Sequence, residues 1–132
     1  MFTLQQHIDA PPADVARAFT EPEPFAAWFV AEGFETPADR VVIDARPGGQ
    51  ISAVFVGEVE VPFTVHFVEV DLPRSVGLHF DEPAEDITVQ LTDLGGRTQL
   101  DYRSVGLTAD QEKSIKPGVA AMLGHMASYF SR

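Results

Sequence analysis

Cysteine is absent from the 132 residues. Its absence excludes disulfides, thiolate nucleophiles and thiolate metal sites. Basic side chains are scarce: nine Lys and Arg stand against twenty Asp and Glu, for a formal charge of −11 at pH 7. A nucleic-acid binder needs basic density to displace counterions from phosphates, so no nucleic-acid partner is expected. Attraction to an anionic membrane surface is disfavoured for the same reason. No apolar run reaches the ~18–20 residues that a membrane-spanning helix needs, so no membrane insertion is expected. The opening stretch, Met1-Phe-Thr-Leu-Gln-Gln-His7, lacks the basic and apolar regions of a signal peptide. A cytoplasmic location is the resulting expectation. What remains is ordinary globular composition, 45% apolar and 22% charged, on a length that suits a single domain over residues 1–132.

Apolar periodicity orders the chain. Phe2, Leu4, Gln6 and Ile8 alternate with Thr3, Gln5 and His7, which predicts a strand. Ala10-Pro-Pro-Ala stops it. Val15, Ala18 and Phe19 fall at helical spacing within 14–19, with Pro12 suited to a first turn. Thr20-Glu-Pro-Glu23 reads as a capping box opening a second short helix from Pro22 to about Phe29. Residues 31–40 read as loop. From Val41 to Val105 the pattern is a strand meander: 41–45, 50–56, 61–71, 74–80, 86–93 and 97–105. The last segment opens on a further capping box, Thr108-Ala-Asp-Gln111. Pro117-Gly118 should kink or restart this helix. Beyond it Val119, Met122, Leu123, Met126 and Phe130 form one apolar stripe.

Registers follow from aligning apolar faces. Leu94-Gly-Gly-Arg97 suits a two-residue primed turn, which sets Leu91 opposite Leu100, Val89 opposite Tyr102 and Ile87 opposite Ser104. A turn at Leu72-Pro73 sets Phe67 opposite Leu78, Val65 opposite Phe80, and Glu69 beside Val76. A turn over 57–61 sets Phe55 opposite Phe63 and Ala53 opposite Val65. These hairpins share one apolar face, as an antiparallel sheet covered on one side requires. The predicted fold is α+β: a curved antiparallel sheet around a long C-terminal helix, with two short helices after the first strand. This is a helix-grip, in which a cavity can open between sheet and helix.

The chain resembles the START-like (SRPBCC) superfamily, and within it the bacterial proteins named after the activator of the heat-shock-protein-90 ATPase. The matching residues are Ile8-Asp-Ala-Pro-Pro-Ala-Asp-Val15, Thr20-Glu-Pro-Glu23 leading to Trp28-Phe29, and Asp44-Ala-Arg-Pro-Gly-Gly49. Val68-Glu-Val-Asp-Leu-Pro-Arg74, Gly95-Gly-Arg-Thr-Gln-Leu100 and the closing helix complete the set. The resemblance covers nearly the whole chain. It implies the helix-grip fold and binding of hydrophobic small molecules. It implies no particular reaction.

The residues offer several chemical candidates. Trp28, Phe29, Phe55, Phe63, Phe67 and Tyr102 could line a ligand cavity, with Phe80 and Phe130 in the same aromatic set. Met122 and Met126 would form an adaptable wall opposite, since thioethers fit varied shapes. Glu69 is placed inward by its parity, where an apolar cavity would raise its pKa, unless it sits at the rim or a bulge turns it outward. Tyr102 is placed inward too, and a buried phenol must find a partner. His66 and His79 face one another on adjacent strands, but a metal site wants three or four ligands. His7 faces outward and His125 lies on the polar side of its helix, so no metal site is expected. Ser104 is read as a buried hydroxyl bonded to backbone, without a histidine to activate it. No catalytic residue and no cofactor is assigned. Val54, Val56, Val68 and Val70 share the outer parity and could form a partner or homodimer patch, unless a bulge turns Val68 and Val70 inward.

Three functions fit these features. One is a module binding a hydrophobic or amphipathic small molecule, as a monomer or weak homodimer. Another is a chaperone-associated or other protein-interaction module. The third is a cyclase- or hydrolase-like enzyme using Glu69 and Tyr102.

Overall fold

The computed structural model describes residues 1–131. The chain runs β1 (Phe2–Ile8), α1 (Pro12–Val15), a 3-10 turn (Ala16–Phe19), α2 (Pro22–Trp28) and a second 3-10 turn (Ala38–Arg40). Then come β2 (Val42–Ile43), β3 (Gln50–Val56), β4 (Glu60–Asp71), β5 (Ser75–Phe80), β6 (Glu85–Asp93) and β7 (Thr98–Val105). The long helix α3 (Ala109–Phe130) closes the chain. Seven strands form one antiparallel sheet in the order β1-β7-β6-β5-β4-β3-β2. Five hairpin steps account for most of that order; β1 joins by pairing with the last strand. The sheet curves round α3, and the architecture is the helix-grip. No helix among the described residues is long and apolar enough to cross a membrane.

Strand alternation is carried through into burial. On β6, Glu85, Ile87, Val89 and Leu91 are buried while the residues between them are exposed. The β6–β7 register is the expected one: Leu91 opposes Leu100, Val89 opposes Tyr102 and Ile87 opposes Ser104. Its turn works because Gly95 and Gly96 take φ +83° and +94°, which a side chain would resist. The Asp93 carboxylate accepts both of their N–H groups at 3.0 Å.

The two other hairpins depart from expectation. β3 and β4 pair two residues away from the predicted register, with Ala53 opposite Phe63, Ile51 opposite Val65 and Phe55 opposite Val61. A tighter turn, in which the Gly57 N–H bonds the Val59 carbonyl, closes the hairpin sooner. A slip of two keeps every side chain on its own face, so the apolar pattern does not resist it. On β4–β5, Phe67 opposes Leu78 as predicted, but the register then shifts by one residue between Phe67 and Glu69. This bulge sets Glu69 opposite Gly77 and Val70 opposite Val76. Glu69 is therefore exposed, not inward. Val70 packs against the core, whereas Val68 stays exposed. Val54 is buried and Val56 is bridged to Glu35, so the four-valine outer patch does not assemble.

Helix α3 passes through Pro117 as one element, without the restart that Pro117-Gly118 suggested. Val119, Leu123 and Met126 are buried beneath it, with Met122 and Phe130 half-buried alongside. Its capping box is formed in full: Thr108 Oγ1 accepts the Gln111 N–H, and Gln111 Oε1 accepts the Thr108 N–H. Thr108→Ala should cost about 1 kcal/mol, read as a lower urea midpoint at unchanged slope. The corresponding box at α2 is not formed. Pro22 occupies the first turn, Glu21 becomes the N-cap, and no side chain caps it.

Candidate functional site

An apolar cavity of about 260 Å³ lies between α3 and the concave face of the sheet. Each wall comes from a different element. The end of α2 supplies Trp28 and Phe29. Phe55 comes from β3, Phe63 from β4 and Phe80 from the end of β5. Tyr102 on β7 and Ile115, Val119 and Met122 on α3 complete the apolar lining. Glu82 and Pro83 stand at its mouth, and Glu85, the first residue of β6, reaches it from the sheet. Met122 also borders a second groove, between α3 and the 30–34 loop.

The aromatic wall is a set of ring contacts centred on Phe29. Its ring lies 5.2 Å from Trp28, edge to face, and 5.3 Å from Phe63. It stacks with Phe55 at 6.0 Å and Phe80 at 6.1 Å. Phe55 and Phe63 stack at 4.4 Å. These separations suit quadrupole-aligned aromatic pairs. The Trp28 indole N–H donates to the Ala18 carbonyl at 2.9 Å, so Trp28 offers the cavity only its ring.

Two polar groups give the cavity its chemistry. Glu85 is 6% exposed, and Ser104 Oγ donates to its Oε2 at 2.6 Å. Ser104 thus bonds a carboxyl, not the backbone expected of it. Burial pushes the Glu85 pKa up, and the Ser104 hydrogen bond only partly opposes this. Tyr102 is 5% exposed, and its hydroxyl makes no hydrogen bond to another described residue. Burial, reinforced by the Glu85 charge, raises its pKa far above the usual phenol range. Tyr102 is therefore a neutral donor at any physiological pH.

Glu85 has a consequence for stability. Its folded-state pKa lies above its unfolded one, so its protonated form is favoured by folding. That contribution is fully present in acid and is lost as pH rises through the folded-state pKa. Glu85→Gln retains an acceptor for Ser104 and removes the charge. The variant should melt above the wild type at neutral pH. The difference should vanish in acid, below the ordinary carboxylate range; equal melting at both pH values would refute the burial argument.

Of the residues expected to line a site, the cavity brings together Trp28, Phe29, Phe55, Phe63, Tyr102 and Met122. Phe67 and Met126 are instead filled into the core. Glu69 lies on the outer surface beyond the bulge. Sequence reasoning missed Glu85, although a signal existed. The alternation that turns Ile87, Val89 and Leu91 inward extends back to it.

His66 and His79 are paired across β4 and β5 as expected. They are tied by aspartates: His66 Nε2 lies 2.8 Å from Asp81 Oδ2, and His79 Nδ1 lies 2.8 Å from Asp86 Oδ1. The hydrogen bond to Asp86 raises the His79 pKa. No group of three or more His, Cys, Asp or Glu side chains among the described residues is arranged to hold a metal.

Residues 9–131 match the family model described as Activator of Hsp90 ATPase homolog 1-like protein. No curated protein matches the chain. Solved structures do. Protein CV1439 from Chromobacterium violaceum superposes with a TM-score of 0.81 at 24% identity, over 100% of this chain and 99% of that one. Protein NE0264 from Nitrosomonas europaea gives 0.82 at 20% identity, over 96% and 91%. A protein from Arthrobacter aurescens gives 0.85 at 16% identity, over 98% and 85%. Similarity at these identities establishes the fold alone.

Proposed function

The chain belongs to the Activator of Hsp90 ATPase homolog 1-like family, and on that footing we propose that it binds a hydrophobic or amphipathic small molecule in the cavity beneath α3. The observation that carries this reading is the Tyr102 hydroxyl. It is neutral and hydrogen-bonded to no other described residue, it sits on a side chain only 5% exposed, and it borders an aromatic cavity. A neutral donor opening into an apolar cavity is free to bond a ligand acceptor and to fix its orientation. The size fits: an apolar cavity of about 150 Å³ admits benzene, so about 260 Å³ suits a bicyclic aromatic or a branched aliphatic of similar bulk. A few polar groups in a mostly apolar concavity is the usual composition of a ligand site. Ser104 faces Glu85 rather than a histidine, so the geometry favours binding over acyl transfer.

The test is native mass spectrometry of protein purified gently from its host, followed by denaturing extraction. A stoichiometric small molecule is expected. A clean unliganded mass, together with no binding of any naphthyl probe by calorimetry, would overturn the reading.

A further inference from the structure

We propose that the ligand is a cationic amphiphile, an organic amine whose apolar body lies among the phenyl rings and whose ammonium is received by Glu85. This rests on the binding reading above and adds the charge of the ligand to it.

The polar composition of the cavity carries the argument. Its lining holds two carboxyls, Glu82 and Glu85, and no Lys, Arg or His. Glu85 is the buried one, and its only hydrogen bond from a described residue is Ser104 Oγ to Oε2. A carboxylate has about four lone-pair sites, so most of its accepting capacity is unused. No described basic side chain pairs with it. An isolated buried carboxylate is unfavourable, and the natural remedy is an opposite charge with hydrogen bonds to give. An ammonium supplies both.

The rings point the same way. Phe29, Phe55, Phe63 and Phe80 pack on one another as the wall for the ligand's apolar body, and the quadrupole of aromatic rings tolerates a nearby cation better than an anion. Tyr102 adds a fifth ring and a hydroxyl that can accept an N–H. The surroundings extend the field: Glu82 stands at the mouth, and the whole chain carries −11. A fatty acid or a phosphate ester would bring a second negative charge against Glu85 with nothing to neutralise it. That is discrimination by repulsion as much as by attraction.

Three isosteric probes test this: 2-naphthylmethylamine, 2-naphthylmethanol and 2-naphthoate, titrated calorimetrically into the wild-type protein and into Glu85→Gln. The amine should bind at least about tenfold tighter than the alcohol, as a charge-assisted hydrogen bond requires, and the carboxylate should bind weakest. In Glu85→Gln the amine-to-alcohol ratio should fall to about one. Should that variant not fold, the wild type gives the same information. Acidification protonates Glu85 while the amine stays charged, so the amine preference should shrink. Ser104 bonds that carboxyl, and Tyr102 and Glu82 are the other polar groups lining the cavity. Alcohol or carboxylate binding as tight as the amine would overturn the assigned charge and leave the binding reading standing. So would a ratio indifferent to both Glu85→Gln and pH. Failure of all three probes to bind would overturn both.

Discussion

Tryptophan in place of Val119 is expected to lower affinity for the ligand proposed above at least about a hundredfold, or roughly 2.7 kcal/mol. The reason is steric. Val119 is buried on α3 and lines the cavity directly. An indole there projects into empty space and occupies the volume that a ligand needs. Overpacking a filled core usually costs 1–3 kcal/mol, but here the ring enters a cavity of about 260 Å³. The melting temperature should therefore stay within a few degrees of the wild type. The pairing of the two readouts gives the experiment its force. Lost binding with retained stability places the ligand beneath α3. Retained binding sends the ligand elsewhere. A collapse in stability means that the space is not available to a side chain, and so not to a ligand either.

Trp28→Ala should be the most destabilising single change, by about 3–5 kcal/mol. Trp28 is almost wholly buried, and it ties three parts of the fold together. Its ring meets Phe19 at 5.4 Å, Phe25 at 6.1 Å and Phe29 at 5.2 Å. Its N–H satisfies the Ala18 carbonyl in the preceding 3-10 turn. Truncation leaves a cavity and an unpaired backbone acceptor together, and these penalties add. For a chain of this length, the expected fall in melting temperature is on the order of 10 °C or more. Trp28→Phe should retain much of the ring packing and lose less. A Trp28→Ala variant within about 1 kcal/mol of wild type, by denaturant midpoint at unchanged slope, would show that α2 is not anchored through this side chain.

Much of the architecture was legible because alternation and helical spacing are written locally. Every strand of the meander, the capping box at Thr108 and the apolar stripe of α3 follow from one-dimensional patterns. The β6–β7 register was readable because its turn leaves one solution: Gly95-Gly96 closes a two-residue loop, and the pairing of Val89 with Tyr102 follows. The β3–β4 register was not readable, because slipping by two residues preserves both faces and only the turn's own geometry selects among such slips. The bulge after Phe67 was foreseen as a device that could turn Glu69 outward and Val70 inward, and it does both, but it leaves exposed the Val68 that it was expected to bury. One extra residue in a ladder leaves no mark in composition or periodicity.

The candidate site divides along the same line. The amino-acid sequence by itself determined which side chains face inward wherever the ladders are regular, since there it depends on parity along strands and on phase along the helices; the bulge that turns Glu69 outward is the exception. It thereby placed Trp28, Phe29, Phe55, Phe63, Tyr102 and Met122 on the side where a cavity could form, and parity would have added Glu85. Only the tertiary structure decided which inward residues meet empty space and which are packed solid. Phe67 and Met126 have the same inward phase as Phe63 and Met122, yet they fill the core. The physical reason is that a cavity belongs to no residue. It is the gap left where the sheet's curvature, the seat of α2 and the path of α3 do not quite converge, and each depends on contacts distant in sequence.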